Sequence, residues 1–356
     1  MLRTEKKAKN YFLSESNLIK HILSEYNLID PKLEQIKIKN SDKPRAVYKV
    51  ISKDNKTYCL KKVYYNKEQL LFVYSALEWI DKNGLNVPKF LPTKKGSRYV
   101  SYNNMLFILT PWIDGVKCDY DNIEHIKNIS KTLAHLHKVT KKFTPIKGSL
   151  VKQGYENIYI SINKHFNRLL SCNNLAFNND DKFSKLFIST FDDNISLAQI
   201  SMNTASLINF NNLTTSLCHG DYVNKNILID SSSKLWLIDF DKCALDFVAH
   251  DISYYLRRLL RRDTTAWDVD LALTCIKNYN SINPLTIDDL RYIIAYLSFP
   301  QKYWKISKDY YNNISKCNKN SFYNLLSKTT EKTEFQIKFI KSFSKRLEET
   351  FLFKIC

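Results

Sequence analysis

Apolar positions recur along this chain with two different periods. Over residues 14–26, Leu18, Ile22, Leu23 and Tyr26 fall on one side of a helix. Three extended runs follow, at 33–39, 46–52 and 57–65. Lys53-Asp54-Asn55-Lys56 supplies a polar turn between the second and third, which predicts a hairpin. Val47, Val50 or Ile51, Tyr58 and Leu60 would line its buried face. A helix is predicted over 67–82, with Leu70, Val73, Tyr74, Leu77 and Ile80 inward and Asn83-Gly84 as its stop. A second strand pair at 98–102 and 105–112 turns at Asn103-Asn104.

After Asp114-Gly115 the period becomes helical. Helices are predicted at 122–142, 156–171, 182–203, 248–262, 268–279, 287–297 and 321–351. One β-rich insert, at 217–219, 226–230 and 234–239 with Ser231-Ser232-Ser233 as a turn, interrupts them. The expected organisation is α+β: a small β-rich lobe over 1–110, a hinge near 110–115, and a larger, mostly helical lobe over 111–356.

Composition narrows the function. The chain has 356 residues, with 44% hydrophobic and 25% charged, which is the profile of a globular protein with a sizeable core. No apolar run reaches the ~18 residues of a membrane span, and the amino terminus lacks the apolar stretch of a secretory signal. The eight cysteines are scattered with no CxxC, so zinc ribbons and disulfide frameworks are not expected and reduced intracellular thiols are. Six glycines leave no GxGxxG and no GxxxxGK[ST]. A nucleotide, if bound, is not held in a glycine-dense cradle.

The net charge is +19. That fits anionic partners or a solvated lysine-rich surface. Arg257, Arg258, Arg261 and Arg262 form i,i+4 pairs on a helix. They could grip phosphate or carboxylate, or pair with Asp263, Asp268 or Asp270. No nucleic-acid reading element accompanies the charge.

The densest chemistry lies in Cys218-His219-Gly220-Asp221-Tyr222-Val223-Asn224-Lys225-Asn226 and Leu237-Ile238-Asp239-Phe240-Asp241. Asp221, Asn226 and Asp239 are three candidate oxygen ligands or bases. The set suits phosphoryl transfer: Mg²⁺ takes one or two carboxylates plus amide and phosphate oxygens. A separate carboxylate orients the attacking hydroxyl. Asp241, two residues on, falls on the side of Asp239. In the third strand Leu60 faces the core, so Lys61 faces the other way; by analogy with the strand lysine of kinases it would lie beside a nucleotide. Glu68, at the start of the next helix, is preferred over Glu78 as the carboxylate that holds Lys61.

His219-Gly220-Asp221-xxxx-Asn226 followed by Ile238-Asp239-Phe240-Asp241 resembles the aminoglycoside phosphotransferase and choline kinase branch of the protein-kinase-like fold. Ala134-His135-Leu136-His137 resembles that branch's L-A-x-L-H element. Leu109 to Gly115 resembles its adenine hinge, and Asp246 with His250-Asp251-Ile252 the segment after the metal-binding aspartate. Within the branch, Tyr58-Cys59-Leu60-Lys61-Lys62 and Asn83-Gly84-Leu85-Asn86-Val87-Pro88 are most similar to the bacterial spore-coat, CotS-type group.

The resemblance implies a bilobal kinase-like fold, ATP and Mg²⁺ as cofactors, and a location in the mother-cell cytoplasm or the spore coat. It implies Asp221 as catalytic base, Asn226 and Asp239 on the metal, Lys61 on the α/β-phosphates, and backbone atoms of Thr110, Pro111 and Trp112 at adenine. His219 would be structural. Asn40 to Arg45 carries no glycine where the family wraps the phosphates; Lys43 or Arg45 would substitute by charge. From Lys242 onward 19 basic residues face 12 acidic ones, which disfavours a polycationic aminoglycoside and favours a small-molecule hydroxyl, a sugar or a glycan as acceptor. Two functions follow: an active phosphotransferase, or a kinase-shaped spore-coat protein with weak or no turnover, with coat proteins as partners in either case.

Overall fold

The computed structural model describes residues 13–39 and 45–352. They divide into two compact units. The first holds the chain to Cys118 together with 142–152 and 224–243. Its framework is an antiparallel sheet of strands β1 (Lys32–Lys39), β2 (Arg45–Ile51), β3 (Thr57–Lys62), β4 (Val100–Tyr102) and β5 (Met105–Pro111), in the order β1-β2-β3-β5-β4.

Alternation decides what β2 and β3 bury. Ala46, Tyr48 and Val50 are buried on β2, while Ile51 is exposed. Tyr48 pairs across to Leu60 on β3. Leu60 is fully buried, so Lys61 emerges on the opposite face. Helix α1 (Glu15–His21) and the 3₁₀ turn Leu23–Glu25 add Leu18, Ile22, Leu23 and Tyr26 to the same core, with Phe107 and Leu109. Asn103 and Asn104 have φ of 48° and 57°, the left-handed pair that a two-residue hairpin of this twist demands.

Helix α2 (Lys67–Lys82) starts at a capping box, in which Asn66 accepts from the Gln69 amide and Gln69 reaches back to the Asn66 amide. Segment 142–152 belongs to this unit because it packs on α2. Phe143 meets Phe72 and Trp79 edge-on, and the Ile146 amide donates to Ser75. A small second sheet joins strands β6 (Val116–Lys117), β8 (Ile227–Ile229) and β9 (Leu235–Leu237) in the order β6-β8-β9. The first unit therefore runs past the expected boundary at residue 110, since β6 is hydrogen-bonded to β8.

The second unit is helical apart from one antiparallel pair, β7 (Thr215–Cys218) with β10 (Ala244–Phe247). Its helices are α3 (Ile123–Thr140), α4 (Ile158–Phe177), α5 (Lys182–Ser189), α6 (Phe191–Ser206), α7 (Val248–Leu260), α8 (Val269–Asn280), α9 (Ile287–Ser298), α10 (Gln301–Asn312), α11 (Lys319–Thr330) and α12 (Thr333–Phe351). The single helix expected over 182–203 is two. Thr190 Oγ1 bonds the Leu186 carbonyl at 2.8 Å, and its backbone leaves the helical region at φ −114°, ψ 7°. The helix expected over 321–351 likewise breaks at Glu331-Lys332, and α10 was not anticipated. Stacked rings tie α5 to α10: Phe183 on Tyr310 at 3.8 Å and Phe187 on Tyr303 at 4.9 Å between centroids, all fully buried. Such pairs add about 0.5–1.5 kcal/mol each beyond area burial. No helix among the described residues is long and apolar enough to cross a membrane. None of the seven described cysteines is in a disulfide.

Candidate active site

In the first unit, the β8–β9 hairpin sets the distance between two of the predicted ligands. Ile227 pairs with Leu237, and the Ile238 amide donates to the Asn226 carbonyl at 3.0 Å. Asn226 and Asp239 are thus held at adjoining ends of two paired strands. The turn closing the hairpin is fastened by Asp230, whose carboxylate accepts from the Ser232 and Lys234 amides and from the Trp236 indole. The indole bond, followed by the serine and backbone bonds, lowers the Asp230 carboxyl to about 2.

Asp239 itself has φ 67° and ψ 56°, a left-handed conformation that Asp tolerates better than most residues. It opens a 3₁₀ turn, Phe240–Lys242, that brings Asp241 to the same place. Lys61 Nζ lies 2.7 Å from Asp239 Oδ1 and 2.8 Å from Asp241 Oδ1. Burial pulls the Lys61 ammonium's pKa down, but the two carboxylates outweigh it and hold it above its ordinary value. Glu68, the partner expected from sequence, is exposed at the start of α2. Lys61 makes its ion pairs with Asp239 and Asp241 instead. A long-range pair wins because the side chain of Asp241 is only 4% exposed and needs a cation beside it.

Arg45 completes the group. Its guanidinium lies 3.7 Å from Asp241 Oδ2 and 4.2 Å above the Tyr64 ring. Tyr65 donates to Asp241 Oδ1 at 3.4 Å. Asp241 Oδ2 is buried with no hydrogen-bond donor. A carboxylate oxygen without a hydrogen-bond donor, together with Asp239 and Asn226 at adjoining strand ends, is a hard-oxygen set that suits Mg²⁺. Lys43, the other candidate for contacting phosphate, lies outside the described residues.

At the expected adenine hinge, β5 pairs Thr110 with Cys59 and Pro111 with Tyr58. The Trp112 amide donates to the Thr57 carbonyl at 3.1 Å. Pro111 has no amide hydrogen. The Trp112 ring sits 5.1 Å from Lys49 Nζ.

In the second unit, β7 delivers His219-Gly220-Asp221. Asp251, on α7, clamps that turn from beneath: Oδ2 accepts from the His219 amide at 2.6 Å and Oδ1 from the Gly220 amide at 2.9 Å. Gly220 has φ +73°, which favours glycine. His137 Nε2 is 3.3 Å from Asp251 Oδ2, and its Nδ1 is 2.7 Å from the Tyr279 hydroxyl. Asn283 donates to that hydroxyl, so Tyr279 donates to Nδ1, and the network assigns the proton to Nε2. Burial raises the Asp251 carboxyl, but the hydrogen bonds from the His137 ring and the His219 amide outweigh it, and its pKa ends below the ordinary value. His137, Cys218 and Asp251 bring ligand atoms within 4.8 Å of one another. Both rings of that network and both Asp251 oxygens are already hydrogen-bonded, which makes it a clamp rather than a metal centre.

Asp221 is 7% exposed. Its Oδ1 accepts from the Tyr254 hydroxyl at 3.2 Å, and Arg258 donates to that hydroxyl at 3.0 Å. Asp251, Tyr254 and Arg258 share one face of α7 at i, i+3 and i+7. Tyr254 was not singled out from the sequence; its i,i+4 spacing to Arg258 was the available signal. Asp246 holds His250 Nδ1 at 2.8 Å.

A family model described as "Spore coat putative kinase YutH" matches residues 34–343. The chain belongs to this family. It is 20% identical over 303 residues to spore coat protein S of Bacillus subtilis (strain 168), covering 83% of this chain and 85% of that protein. Among solved structures it is similar to an aminoglycoside phosphotransferase from Alicyclobacillus acidocaldarius, with a TM-score of 0.77 and 19% identity over 93% of this chain and 96% of that one. It is also similar to amicoumacin kinase hAmiN in complex with AMP-PNP and Ca²⁺, with a TM-score of 0.63 and 14% identity over 94% of this chain and 96% of that one. These likenesses establish a kinase-like α+β fold.

Proposed function

We propose that this spore-coat family member is an ATP- and Mg²⁺-dependent phosphotransferase that acts on a hydroxyl of a small molecule, sugar or glycan at the spore coat. The observation that carries the reading is the charge cluster of the first unit. Lys61 is tied to two carboxylates, one of which keeps a buried oxygen without a donor. A lysine and a carboxylate pair are what a nucleotide's phosphates and a divalent cation require. Asn226 and Asp239, with Asp241 beside them, would hold the cation, which supplies positive charge to the transferring phosphate. Lys61 would shift its bonds toward the α/β-phosphates, and Arg45 adds a second positive charge to the group.

Asp221 is the base in this reading. Its carboxylate orients the acceptor hydroxyl and takes its proton. The Asp251 clamp positions it, and Tyr254 fixes one of its two oxygens. With the Trp112 amide engaged, adenine would be met at the hinge by the Pro111 carbonyl and the flanking Thr110.

The test is thermal stabilisation by ATP, which for a ligand at a hundred times its Kd amounts to about 2.7 kcal/mol. It should require Mg²⁺ and vanish in Asp239→Ala. Asp221→Ala should keep the stabilisation and lose phosphate transfer in a screen of sugars and polyols with labelled ATP. Wild-type protein with neither stabilisation nor ATP turnover would instead be a kinase-shaped coat component.

A further inference from the structure

A pocket of about 430 Å³ opens within the second unit. Its volume falls in the range of small-molecule sites. Five cations line it: Arg257, Arg261, Lys302, Lys328 and Lys332. Only two acids join them, Asp263 and Glu331, and Asp263 is paired with Lys332. Lys332 also donates to the Arg261 carbonyl.

The other acids of this region point elsewhere. Asp121 takes Arg262, Asp270 takes Arg346, and Asp268 caps α8 at the Leu271 amide. Arg261, Lys302 and Lys328 have no carboxylate within ion-pair distance among the described residues. The pairing of the arginine cluster with Asp263, Asp268 or Asp270, one of the two expectations from sequence, does not occur. Burial and the charges of Arg257 and Arg258 lower the Arg261 pKa. Burial, Arg261, Lys332 and Lys328 lower that of Lys302. Converging like charges in a partly enclosed pocket raise the energy of the protein. Trp267, Phe299 and Tyr303 give the wall an apolar portion, so the cations are not spread over open surface. Arg257 is held in place by the Tyr296 ring, 4.2 Å from its guanidinium carbon.

We infer that this pocket is a binding site for a small molecule bearing two or more negative charges, phosphate or carboxylate, with Arg257, Arg261, Lys302 and Lys328 as its ligands. The guanidinium groups offer forked donors to paired oxygens, and the two lysines act as point charges at the rim. The inference stands apart from the phosphotransferase reading, because it needs neither nucleotide nor turnover.

Titration calorimetry of the full chain, in low salt and without Mg²⁺, tests it with two probes, citrate for carboxylates and inorganic pyrophosphate for phosphates. At least one should bind with one-to-one stoichiometry. Arg261→Ala/Lys302→Ala should weaken that binding roughly tenfold or more, the loss of a charge-assisted hydrogen bond. Lys328→Glu, a reversal at an exposed position that leaves packing intact, should weaken it too. Lys61→Met, which removes the nucleotide-site cation, should leave it unchanged. No binding of either probe, binding unchanged in both pocket variants, or loss in Lys61→Met alone would each overturn the proposal. The last outcome would place the anion at the nucleotide site.

Discussion

Lys61 and Asp239 are 178 residues apart in sequence and 2.7 Å apart in space. The contact joins the five-stranded sheet to the β8–β9 hairpin inside one unit. Its side chains are 16% and 31% exposed, so the pair is neither a surface bridge nor a fully dry one. Asp241, nearly buried, makes the ammonium necessary, because two carboxylates this close repel unless a cation lies between them.

Removing the ammonium should therefore cost stability as well as function. Lys61→Met takes away the ammonium that lies between the Asp239 and Asp241 carboxylates. We expect a loss of about 2–3 kcal/mol in urea unfolding, below the range for a fully buried broken pair because Asp239 retains water. Adding Asp241→Asn should return part of it, giving a coupling energy in the double-mutant cycle. Additive effects of the two substitutions would show that the cluster is not coupled.

Sequence patterning was sufficient for elements whose signals are local. The α2 helix carries its own capping box at Asn66 and Gln69, and Asn103-Asn104 names its hairpin turn. The two-residue β6 and the four-residue β10 are too short to show a period, and both form by pairing across more than a hundred or some thirty residues. The chain leaves the helical region at Thr190, at φ −114° and ψ 7°, with neither Gly nor Pro to announce it. The site divides in the same way. Asp221, Asn226, Asp239 and Lys61 stood out because they lie in short motifs. Glu68 was preferred over Glu78 on the expectation that a carboxylate of the next helix holds the strand lysine, and that expectation carries no weight against Asp241, a buried carboxylate in need of a cation.

Asp251 should govern acid stability in the second unit. Its pKa is depressed in the folded state, so its contribution is complete above the ordinary value of 3.8 and is lost as pH falls through the lower folded value. Asp251→Asn removes that pH dependence. It also turns an amide group toward the His219 and Gly220 amides, where only acceptors fit, at a cost of about 2–4 kcal/mol. Urea unfolding of both proteins between pH 6 and the acid limit should show curves that converge at low pH. Parallel curves would remove Asp251 from the account.

His250 should act in the opposite sense. Burial alone would lower its pKa, but the hydrogen bond and charge of Asp246, with the charge of Asp251, raise it above 6.5. A raised histidine stabilises fully below its unfolded pKa and loses that contribution as pH rises through the folded value. The imidazole side chain is 44% exposed, so solvent screening limits the effect to roughly 0.5 kcal/mol. His250→Gln should thus lower the melting temperature at pH 5.5 and leave it almost unchanged at pH 8.5. An equal loss at both values would mean that His250 contributes only packing.

Gly115 tests how closely β6 must approach β8. A Cβ at this position would lie 2.8 Å from the Ile229 carbonyl oxygen and 3.1 Å from its carbon. Both are backbone atoms of a paired strand and cannot swing aside as a flexible side chain would. Gly115→Ala should push β6 off the hairpin that carries Asn226 and Asp239, costing about 1–3 kcal/mol. It should also reduce Mg²⁺-dependent stabilisation by ATP if those residues hold the cation. Gly84→Ala is the matched control. Its φ of +85° makes alanine unfavourable by about 1 kcal/mol, yet nothing lies within 4 Å of the added methyl. It should lower the melting temperature and leave the ATP response intact. A full ATP response in Gly115→Ala despite the lowered stability would separate the hairpin's packing from the cation site.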